Sequence, residues 1–280
     1  MRYDLILSKL LHIIFSSSFS THNNAIPVLM YHSIESFPSS KKNSFYSIST
    51  NPTVFESHLK FLKLHNYQST SFSKLDDAWI DKTKKVIITF DDAYFNFYEF
   101  AFPLLLKYGF SATVFLPTDY IYNTYRRKFN NRHCLNWGDI DELSKLGIEF
   151  GSHSCSHPIL YGKPLQKIKK EIKQSKEIIE SHIAKEAVCF SYPYAFPEHD
   201  TTFINYYVDI LKSCKYKYAV TTIIGLMHQN DHPYLIRRLH INSSDNPDIF
   251  NIKISGFYNW IHLFQFLFKR LKSYPNKFFY

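Results

Sequence analysis

The chain has 280 residues, of which 45% are hydrophobic and 20% charged, and this composition excludes an intrinsically disordered protein. Its net charge of +9 indicates either a solvated lysine-rich surface or an acidic partner. Nucleic acid is not the expected partner, because the common nucleic-acid-binding motifs do not occur. The four cysteines lack CxxC spacing, which predicts free thiols and favours a reducing compartment over a secreted disulfide-rich fold.

The first 25 residues contain an apolar stretch that Asp4, Lys9 and His12 interrupt. A secretory signal requires an uninterrupted apolar core, so we interpret residues 1–25 as an N-terminal arm. The sequence has no run of about 18 uncharged apolar residues, and we expect no membrane-spanning helix. These features favour a cytoplasmic or cytoplasmic-membrane-associated protein over a secreted one.

From residue 26 onward, short apolar runs alternate with amphipathic segments. The runs predicted to form strands are 26–34, 85–90, 111–117, 148–153, 187–193, 216–222 and 234–242. The segments predicted to form helices are 51–67, 95–109, 137–147 and 164–183. Such alternation predicts a parallel sheet, and over this length it favours closure into a barrel. We therefore predict an α/β fold, a distorted (β/α) barrel of about seven strands, as a single domain over residues 26–250.

Individual residues mark the limits of several helices. Pro52 suits the first position of a helix, Gly109 suits a helix end, and Pro103 between them predicts a kink. The segment 164–183 is the clearest helix, because isoleucines recur on one face and lysines fill the other.

Polar side chains follow several of the predicted strands. Asp91 and Asp92 come directly after the strand 85–90, His153 ends another strand, and Tyr194 follows a third. Functional residues of (β/α) barrels lie at the C-terminal ends of the strands, so these side chains are expected to share one site. Two adjacent acids beside a buried strand also require a cation or several hydrogen-bond donors.

His153 and His157 are four residues apart, a spacing that places both rings on one side of a helical turn. A pair of histidines with one carboxylate forms a site that leaves a coordination position open, as catalytic zinc sites do. The spacing alone is weak evidence in a chain with 14 histidines, and the neighbouring acids give it weight.

Three short segments together resemble the motifs of the polysaccharide deacetylase family, also called the chitooligosaccharide-deacetylase homology family. TFDDAY (89–94) resembles the family motif TFDDG, and HSCSHP (153–158) resembles H-[ST]-x-x-H. SYPYA (191–195) resembles a third motif, R-x-P-[FY]. The resemblance extends over roughly residues 26–242. The layout of the motifs is similar to that of the exopolysaccharide and lipid-linked-sugar branch of the family.

The resemblance implies that Asp92, His153 and His157 bind Zn²⁺ or another divalent transition metal such as Co²⁺. It also implies that Asp91 is the general base and that the backbone N–H of Tyr194 holds an oxyanion. His240, in the segment RRLHIN, is the candidate general acid, although an ordinary strand residue is an equal alternative.

The implied function is that of a metal-dependent hydrolase removing the N-acetyl group from an amino sugar. The substrate would be a cell-envelope glycan or a lipid-linked saccharide. Two alternatives stay open: a carbohydrate-binding pseudoenzyme with the same fold, and a non-catalytic metal- or anion-binding protein.

The chain departs from the family motifs at two informative positions. Ala93 replaces a glycine, so the turn must either differ or tolerate a side chain. Ser191 replaces an arginine that steadies the catalytic acid, and loss of that charge would let the pKa of Asp91 rise. Arg237 or Arg238 is a candidate replacement for the missing charge.

Residues 251–280 contain basic residues and no acid, and they predict a basic aromatic C-terminal helix. The apolar residues that recur at helical spacing are Phe257, Trp260, Ile261, Phe264, Leu267, Phe268 and Leu271. Such a helix either packs its apolar stripe on the barrel or lies in a membrane interface, with its basic side on anionic head groups. The second interpretation suits a lipid-linked amino sugar as substrate.

Overall fold

The fold is that of a computed structural model, which describes residues 25–36 and 47–272. Almost all of the predicted N-terminal arm therefore lies outside the described residues. Within them, no helix has both the length and the apolar composition needed to cross a bilayer.

Seven parallel strands form a closed barrel. In chain order they are β2 (Val28–Tyr31), β6 (Lys85–Phe90), β7 (Thr113–Leu116), β10 (Glu149–Ser152), β11 (Cys189–Ser191), β12 (Tyr218–Ile224) and β14 (Ile236–His240). Strand β2 pairs with β14 on one side and with β6 on the other, which closes the sheet. The barrel is irregular, because the register between β12 and β14 shifts between Val220 and Ile224. The predicted distorted (β/α) barrel is confirmed.

The structure also contains shorter strands. They are β1 (Ala25–Ile26), β3 (Ser33–Ile34), β4 (Ser49–Thr50), β5 (Gln68–Ser69), β8 (Lys128–Phe129), β9 (Arg132–His133) and β13 (Met227–His228). The predicted strand 26–34 is therefore divided into three pieces, with breaks at Pro27 and His32. Strands β8 and β9 form an antiparallel hairpin that the sequence did not predict.

Eight helices are described. They are α1 (Pro52–Leu64), α2 (Leu75–Ile80), α3 (Phe102–Tyr108), α4 (Trp137–Lys145), α5 (Leu165–Ile183), α6 (Thr201–Ser213), α7 (Pro247–Ile254) and α8 (Ile261–Lys272). Side chains before several of them accept backbone hydrogen bonds of the first turn, as Asn51 does from Thr53 and Asp200 from Phe203.

The predicted helix 95–109 has a π-helical turn, Phe97–Ala101, followed by α3. Pro103 sits in the first turn of α3, where its missing N–H costs little. The helix ends at Gly109, whose φ of +74° is the left-handed conformation that glycine adopts readily.

The barrel core leaves little space where β10 crosses it. A side chain on Gly151 would lie 2.6 Å from both the Phe115 ring and the Cys189 carbonyl oxygen. Outside the barrel, four isoleucines of α5 are buried, Ile168, Ile172, Ile179 and Ile183, whereas Leu165 at its first position is 44% exposed.

The C-terminal region differs from the single helix predicted over 251–280. Helix α7 begins before it, at Pro247, where the Asn246 side chain accepts a hydrogen bond from the Ile249 N–H. A turn containing Gly256, with φ of +82°, then separates α7 from α8. Residues 273–280 lie outside the described residues.

Candidate active site

The predicted site residues lie at the C-terminal ends of barrel strands. Asp91 and Asp92 follow β6, His153 follows β10, and Tyr194 follows the end of β11 by three residues. His240 is the last residue of β14. The parallel barrel therefore brings these residues to one rim, as the pattern of the sequence predicted.

Asp92, His153 and His157 form one compact, buried cluster. The Oδ1 atom of Asp92 lies 3.5 Å from Nε2 of His153 and 3.4 Å from Nε2 of His157. The two Nε2 atoms lie 3.1 Å apart. For a tetrahedral ion with bonds of about 2.1 Å, neighbouring ligand atoms are separated by about 3.4 Å. The three ligand atoms therefore fit a divalent transition metal.

The hydrogen bonds of the cluster also suit a cation. Nδ1 of His153 donates to the carbonyl oxygen of Ser191 at 2.8 Å, which leaves its Nε2 lone pair directed into the cluster. Burial lowers the pKa of both histidines, so both rings are neutral ligands at pH 7. Within the described part of the chain, Oδ1 of Asp92 receives no hydrogen bond.

The raised pKa of Asp92 also favours a bound cation. Burial, and then the negative charge of Asp91, raise the pKa of Asp92 to about 7. A buried carboxylate of this kind is costly to ionise unless a cation compensates its charge.

His157 reaches the cluster through an irregular loop, not through the helical turn that the spacing suggested. Ser154 and His157 have φ values of +65° and +52°, which reverse the chain within a few residues. Helix α5 holds this loop, because the Glu171 carboxylate accepts hydrogen bonds from the backbone N–H groups of Cys155 and Ser156, at 3.0 and 2.9 Å. The Cys155 thiol donates to the Glu171 carbonyl oxygen and so points towards α5.

All four cysteines are free and buried, as predicted. Burial raises the pKa of the Cys134 and Cys155 thiols to about 12, so neither is a thiolate ligand at neutral pH.

Arg238 supplies the positive charge that the third motif lacks. Its two terminal nitrogens donate to the two carboxylate oxygens of Asp91, at 2.7 and 2.8 Å. It also donates to Ser191 Oγ at 3.0 Å, and Ser191 Oγ lies 3.3 Å from Asp91 Oδ2. Burial would raise the pKa of Asp91, but the charge of Arg238 and the hydrogen bonds that it donates outweigh burial and hold the pKa well below its usual range.

The rise in the pKa of Asp91 that loss of this charge would cause does not occur, because one of the two candidate replacements supplies the charge from a different strand. Of the two candidate replacements, Arg238 takes this place, whereas the side chain of Arg237 lies against Gly225. Asp91 Oδ2 is 3.8 Å from Nε2 of His153, so the buried acid borders the three-residue cluster directly.

The turn after the two acids keeps the left-handed conformation despite the alanine. Asp92 and Ala93 have φ values of +70° and +50°. The Leu135 N–H donates to the Ala93 carbonyl oxygen at 2.8 Å and helps to hold this turn. A left-handed residue other than glycine costs about 1 kcal/mol or more, so the chain tolerates the alanine at this cost.

Tyr194 lies beside the cluster, with its ring centroid 4.7 Å from that of His157. Its φ is +60°, and its side chain is 47% exposed at the site's rim. His240 lies farther round the rim, where its ring centroid is 6.1 Å from that of His32. Burial, and then the His32 charge, lower the pKa of His240 to about 3, so its imidazole is neutral at pH 7.

Two residues near the site were not identified from the sequence. The Tyr94 hydroxyl hydrogen-bonds the Asp92 side chain, and the Arg132 guanidinium lies 5.5 Å from the Tyr94 ring centroid. Arg132 is fixed by Glu35, at 2.6 Å, in a distant part of the chain. Tyr94 stood within the first motif and could have been noticed, whereas no local signal marked Arg132.

The chain is similar in sequence to known proteins of one family. The sequence profile of the polysaccharide deacetylase family matches residues 80–219, half of the chain. Poly-β-1,6-N-acetyl-D-glucosamine N-deacetylase of Staphylococcus aureus is 27% identical over 221 residues, which cover 74% of this chain and 71% of that protein. The Bacillus subtilis protein YxkH is 27% identical over 236 residues, covering 82% and 76% of the two chains.

Solved structures show the same fold. Streptococcus pyogenes deacetylase PplD has a TM-score of 0.70 at 24% identity, covering 82% of this chain and 98% of its own. IcaB from Ammonifex degensii has a TM-score of 0.67 at 20% identity, with coverage of 82% and 97%. The profile match and the assembled motifs lead to one conclusion: this chain belongs to the polysaccharide deacetylase family of metal-dependent carbohydrate hydrolases.

Proposed function

We propose that the chain removes the N-acetyl group from an amino sugar in a cell-envelope glycan or a lipid-linked saccharide. The observation that carries this proposal is the cluster of Asp92, His153 and His157, with the ionised acid Asp91 on its border. The S. aureus relative is named for poly-β-1,6-N-acetyl-D-glucosamine. We infer a substrate of the same chemical class, a saccharide containing N-acetylglucosamine.

In the proposed site, Asp92, His153 and His157 hold Zn²⁺, or another divalent transition metal such as Co²⁺. Such an ion would lower the pKa of water and polarise the acetamide carbonyl. Asp91 is ionised at neutral pH and lies on the border of the cluster, so it is placed to accept a proton from the attacking water.

The remaining roles fall to the rim residues. Tyr194 adopts the left-handed conformation at the rim, and its backbone N–H is the proposed donor to the oxyanion. His240 enters as a neutral imidazole beside His32. We propose that it takes up the proton that Asp91 removes from the attacking water and passes it to the leaving amine.

The pseudoenzyme alternative is weaker. Its two supporting features were Ser191 and Ala93, but Arg238 restores the charge lost at Ser191, and the turn at Ala93 keeps its left-handed form. The proposed ligands and the proposed base are all assembled.

A direct assay tests the proposal. Purified protein would be incubated with N-acetylglucosamine oligomers, and released amine measured with fluorescamine, alongside the metal content of the same sample. We expect amine release in proportion to bound metal. Bound metal without amine release on any acetylated saccharide would favour a binding protein, and absence of bound metal would contradict the site itself.

We further propose that helix α8 places the enzyme at a membrane surface. The side of α8 that meets the barrel is polar: Gln265 accepts from the Ile224 N–H and donates to the Thr222 carbonyl, and Lys269 and His262 pair with Glu198. The opposite side is apolar, and its members are between 44% and 60% exposed: Leu263, Phe264, Leu267 and Phe268.

This arrangement favours the interfacial interpretation of the C-terminal region over the core one, since apolar side chains at helical spacing face away from the barrel. The predicted basic side needs revision, because Lys253 is buried against Asp245 and Lys269 is bound to Glu198. Hydrophobic insertion is therefore the larger contribution in this proposal.

The helix also lies close to the catalytic rim. Thr222 hydrogen-bonds Gln265 through its carbonyl oxygen and the Tyr194 carbonyl through its hydroxyl, at 2.9 and 3.2 Å. A membrane under α8 would lie beside the site mouth, which suits a lipid-linked amino sugar. With four buried thiols, we propose a cytoplasmic or cytoplasmic-membrane-associated location.

A further inference from the structure

The hairpin of β8 and β9 lies against the turn that carries the two adjacent acids. At its tip, Asn130 and Asn131 have φ values of +47° and +61°, the two left-handed residues of a type I′ turn, which asparagine tolerates. This turn pairs Phe129 with Arg132 across the hairpin. Residues paired in this way point to the same face, so an aromatic ring and a guanidinium lie side by side.

That face of the hairpin packs on Tyr94. The Tyr94 ring centroid lies 5.5 Å from the Arg132 guanidinium and 6.3 Å from the Phe129 ring centroid. The Asn130 side-chain amide donates to the Tyr94 hydroxyl oxygen at 3.5 Å. The hydroxyl in turn hydrogen-bonds the Asp92 side chain. Through Tyr94, the hairpin therefore acts on a proposed metal ligand.

Backbone hydrogen bonds on both sides of Tyr94 fix the hairpin to this turn. The Phe95 N–H donates to the His133 carbonyl oxygen at 2.7 Å, and the Leu135 N–H donates to the Ala93 carbonyl oxygen at 2.8 Å. The segment that leaves β9 therefore runs beside the turn, and the two keep a constant relative position.

The same hairpin also contacts a second proposed ligand. The Phe129 ring lies 4.9 Å from the His157 ring, edge to face. Asp92 follows β6, whereas His157 lies in the loop after β10. One small element therefore contacts two ligands that come from different parts of the chain.

Arg132 joins the hairpin to two distant strands. Its guanidinium donates to the two carboxylate oxygens of Glu35, at 2.6 and 3.2 Å, and to the Oγ atoms of Ser33 in β3 and Ser49 in β4, both at 3.1 Å. Burial would raise the pKa of Glu35, but the hydrogen bonds from Arg132 and Ser49 outweigh burial and lower it. The side chains of Arg132 and Glu35 are only 14% and 21% exposed, and their bidentate geometry is the strong one.

We propose that the β8–β9 hairpin sets the geometry of the metal-ligand cluster, with Tyr94 and Arg132 as positioning residues. Tyr94 orients the Asp92 carboxylate, and Arg132, held by Glu35, fixes the Tyr94 ring and the hairpin face that meets His157. This inference rests on the proposed function and deepens it, because it assigns the control of metal affinity to residues outside the three family motifs and to the last residue of the first one.

Metal binding tests this role directly. The Zn²⁺ dissociation constant would be measured by competition with a chromophoric chelator, and the Co²⁺-loaded protein would be examined by visible absorption. We expect Tyr94→Phe, which removes only a hydroxyl, and Arg132→Met each to weaken Zn²⁺ binding by about 10- to 100-fold, the usual cost of losing an outer hydrogen-bond partner. Both should also alter the Co²⁺ spectrum. The double variant should bind little worse than the weaker single variant, because the two residues act through one path.

Two matched controls come from the same part of the chain. Tyr98→Phe removes a hydroxyl that donates to Glu142, and Arg126→Met removes a guanidinium that is paired with Asp139. Both should keep the wild-type Zn²⁺ affinity and Co²⁺ spectrum. Equal weakening in these controls would overturn the specific role of Tyr94 and Arg132.

The metal measurements need no substrate, so they separate this inference from the proposed function. Weaker Zn²⁺ binding in both variants, without amine release by the wild type, would support the positioning role and contradict the deacetylase activity. Amine release by the wild type, with unchanged Zn²⁺ affinity and Co²⁺ spectrum in the variants, would overturn the positioning role alone. A fall in melting temperature with no change in either metal readout would have the same meaning, since the hairpin would then serve only stability.

Discussion

Arg238 and Asp91, separated by 147 positions in the chain, form two hydrogen bonds of 2.7 and 2.8 Å in the buried interior of the barrel. Each terminal nitrogen of the guanidinium meets its own carboxylate oxygen, which is the strong bidentate geometry. The pair keeps the proposed general base ionised, and Ser191 donates to it where the family motif has an arginine.

Removal of Arg238 should be strongly destabilising. Arg238→Met leaves the Asp91 carboxylate buried without its cation, so we expect the free energy of unfolding to fall by about 3–5 kcal/mol. Turnover should fall as well, because the base loses the group that orients it. Urea denaturation and the amine-release assay would measure the two effects. The control Arg237→Met changes the neighbouring residue outside the pair, and an equal loss there would contradict the assignment of Arg238.

Substitutions of the two adjacent acids should have different effects on turnover and on metal binding. Asp91→Asn should abolish turnover and leave the metal bound, because Asp91 borders the cluster without belonging to it. Asp92→Asn and His157→Ala should both lower metal affinity, since each removes a ligand atom. Metal analysis after dialysis would decide, and loss of metal from Asp91→Asn but not from Asp92→Asn would show that the roles are reversed.

Chelation should remove activity and preserve the fold. Dialysis against a chelator should stop amine release, and Zn²⁺ or Co²⁺ should restore it, because the ion is the proposed Lewis acid for both the water and the acetamide. The far-ultraviolet circular dichroism spectrum should stay the same, since the barrel is held by its core and not by the ion. Full activity in a verified metal-free sample would contradict the mechanism.

The strands that carry the site could be predicted because each reads as a short apolar run, and KVIITF matches β6 at both ends. The acids and histidines followed from the rule that places functional residues at strand ends. Arg238 could be named only as one of two candidates, because strand alternation does not show which of two adjacent residues points inward at an irregular register.

Other elements could not be predicted from the sequence, because their sequence signals are weak or depend on distant residues. Helix α6 follows the N-cap Asp200, but it is rich in tyrosines and β-branched residues, which have lower helix propensity. The hairpin of β8 and β9, two residues in each strand, is too short for any alternation to show. The loop geometry at His157 depends on Glu171 of α5, a contact that spacing alone does not reveal.

His58 should make the protein sensitive to mild acid. It is buried, accepts a hydrogen bond from the Tyr31 hydroxyl at 3.0 Å, and donates to the Asp245 carbonyl oxygen. Burial lowers its pKa from 6.5 to about 4 in the folded protein. As pH falls from 6.5 towards 4, the unfolded chain takes up a proton that the folded protein does not, so stability declines over that window.

The contribution of His58 is on the order of 3 kcal/mol between the two limits and is fully present above pH 6.5. Urea denaturation at pH 7.5 and 4.5 would measure it. His58→Gln should show a smaller difference between the two pH values than the wild type. His65→Gln, an exposed histidine next to the same helix, is the control and should behave as the wild type does. An unchanged difference in His58→Gln would assign the acid sensitivity to other groups.

The exposed face of α8 should bind membranes. We expect the full-length protein to sediment with anionic liposomes at low salt, and the double variant Phe264→Ser/Leu267→Ser to stay in the supernatant, because two inserted apolar side chains are lost. A chain ending near Asn251 would be a poor test, since it cuts through α7, whose Phe250, Ile252 and Ile254 are buried. Point variants at exposed positions avoid this difficulty.

The matched control is Leu64→Ser/Ile80→Ser, which removes two apolar side chains that are 69% and 80% exposed elsewhere on the barrel. It should sediment as the wild type does, and circular dichroism should show both double variants folded. Equal loss of binding in both would indicate a general effect of surface hydrophobicity. If the wild type does not bind liposomes, the membrane proposal and the argument for a lipid-linked substrate are both contradicted. The assignment to the deacetylase family is unaffected, because it rests on the metal-ligand cluster and the family match.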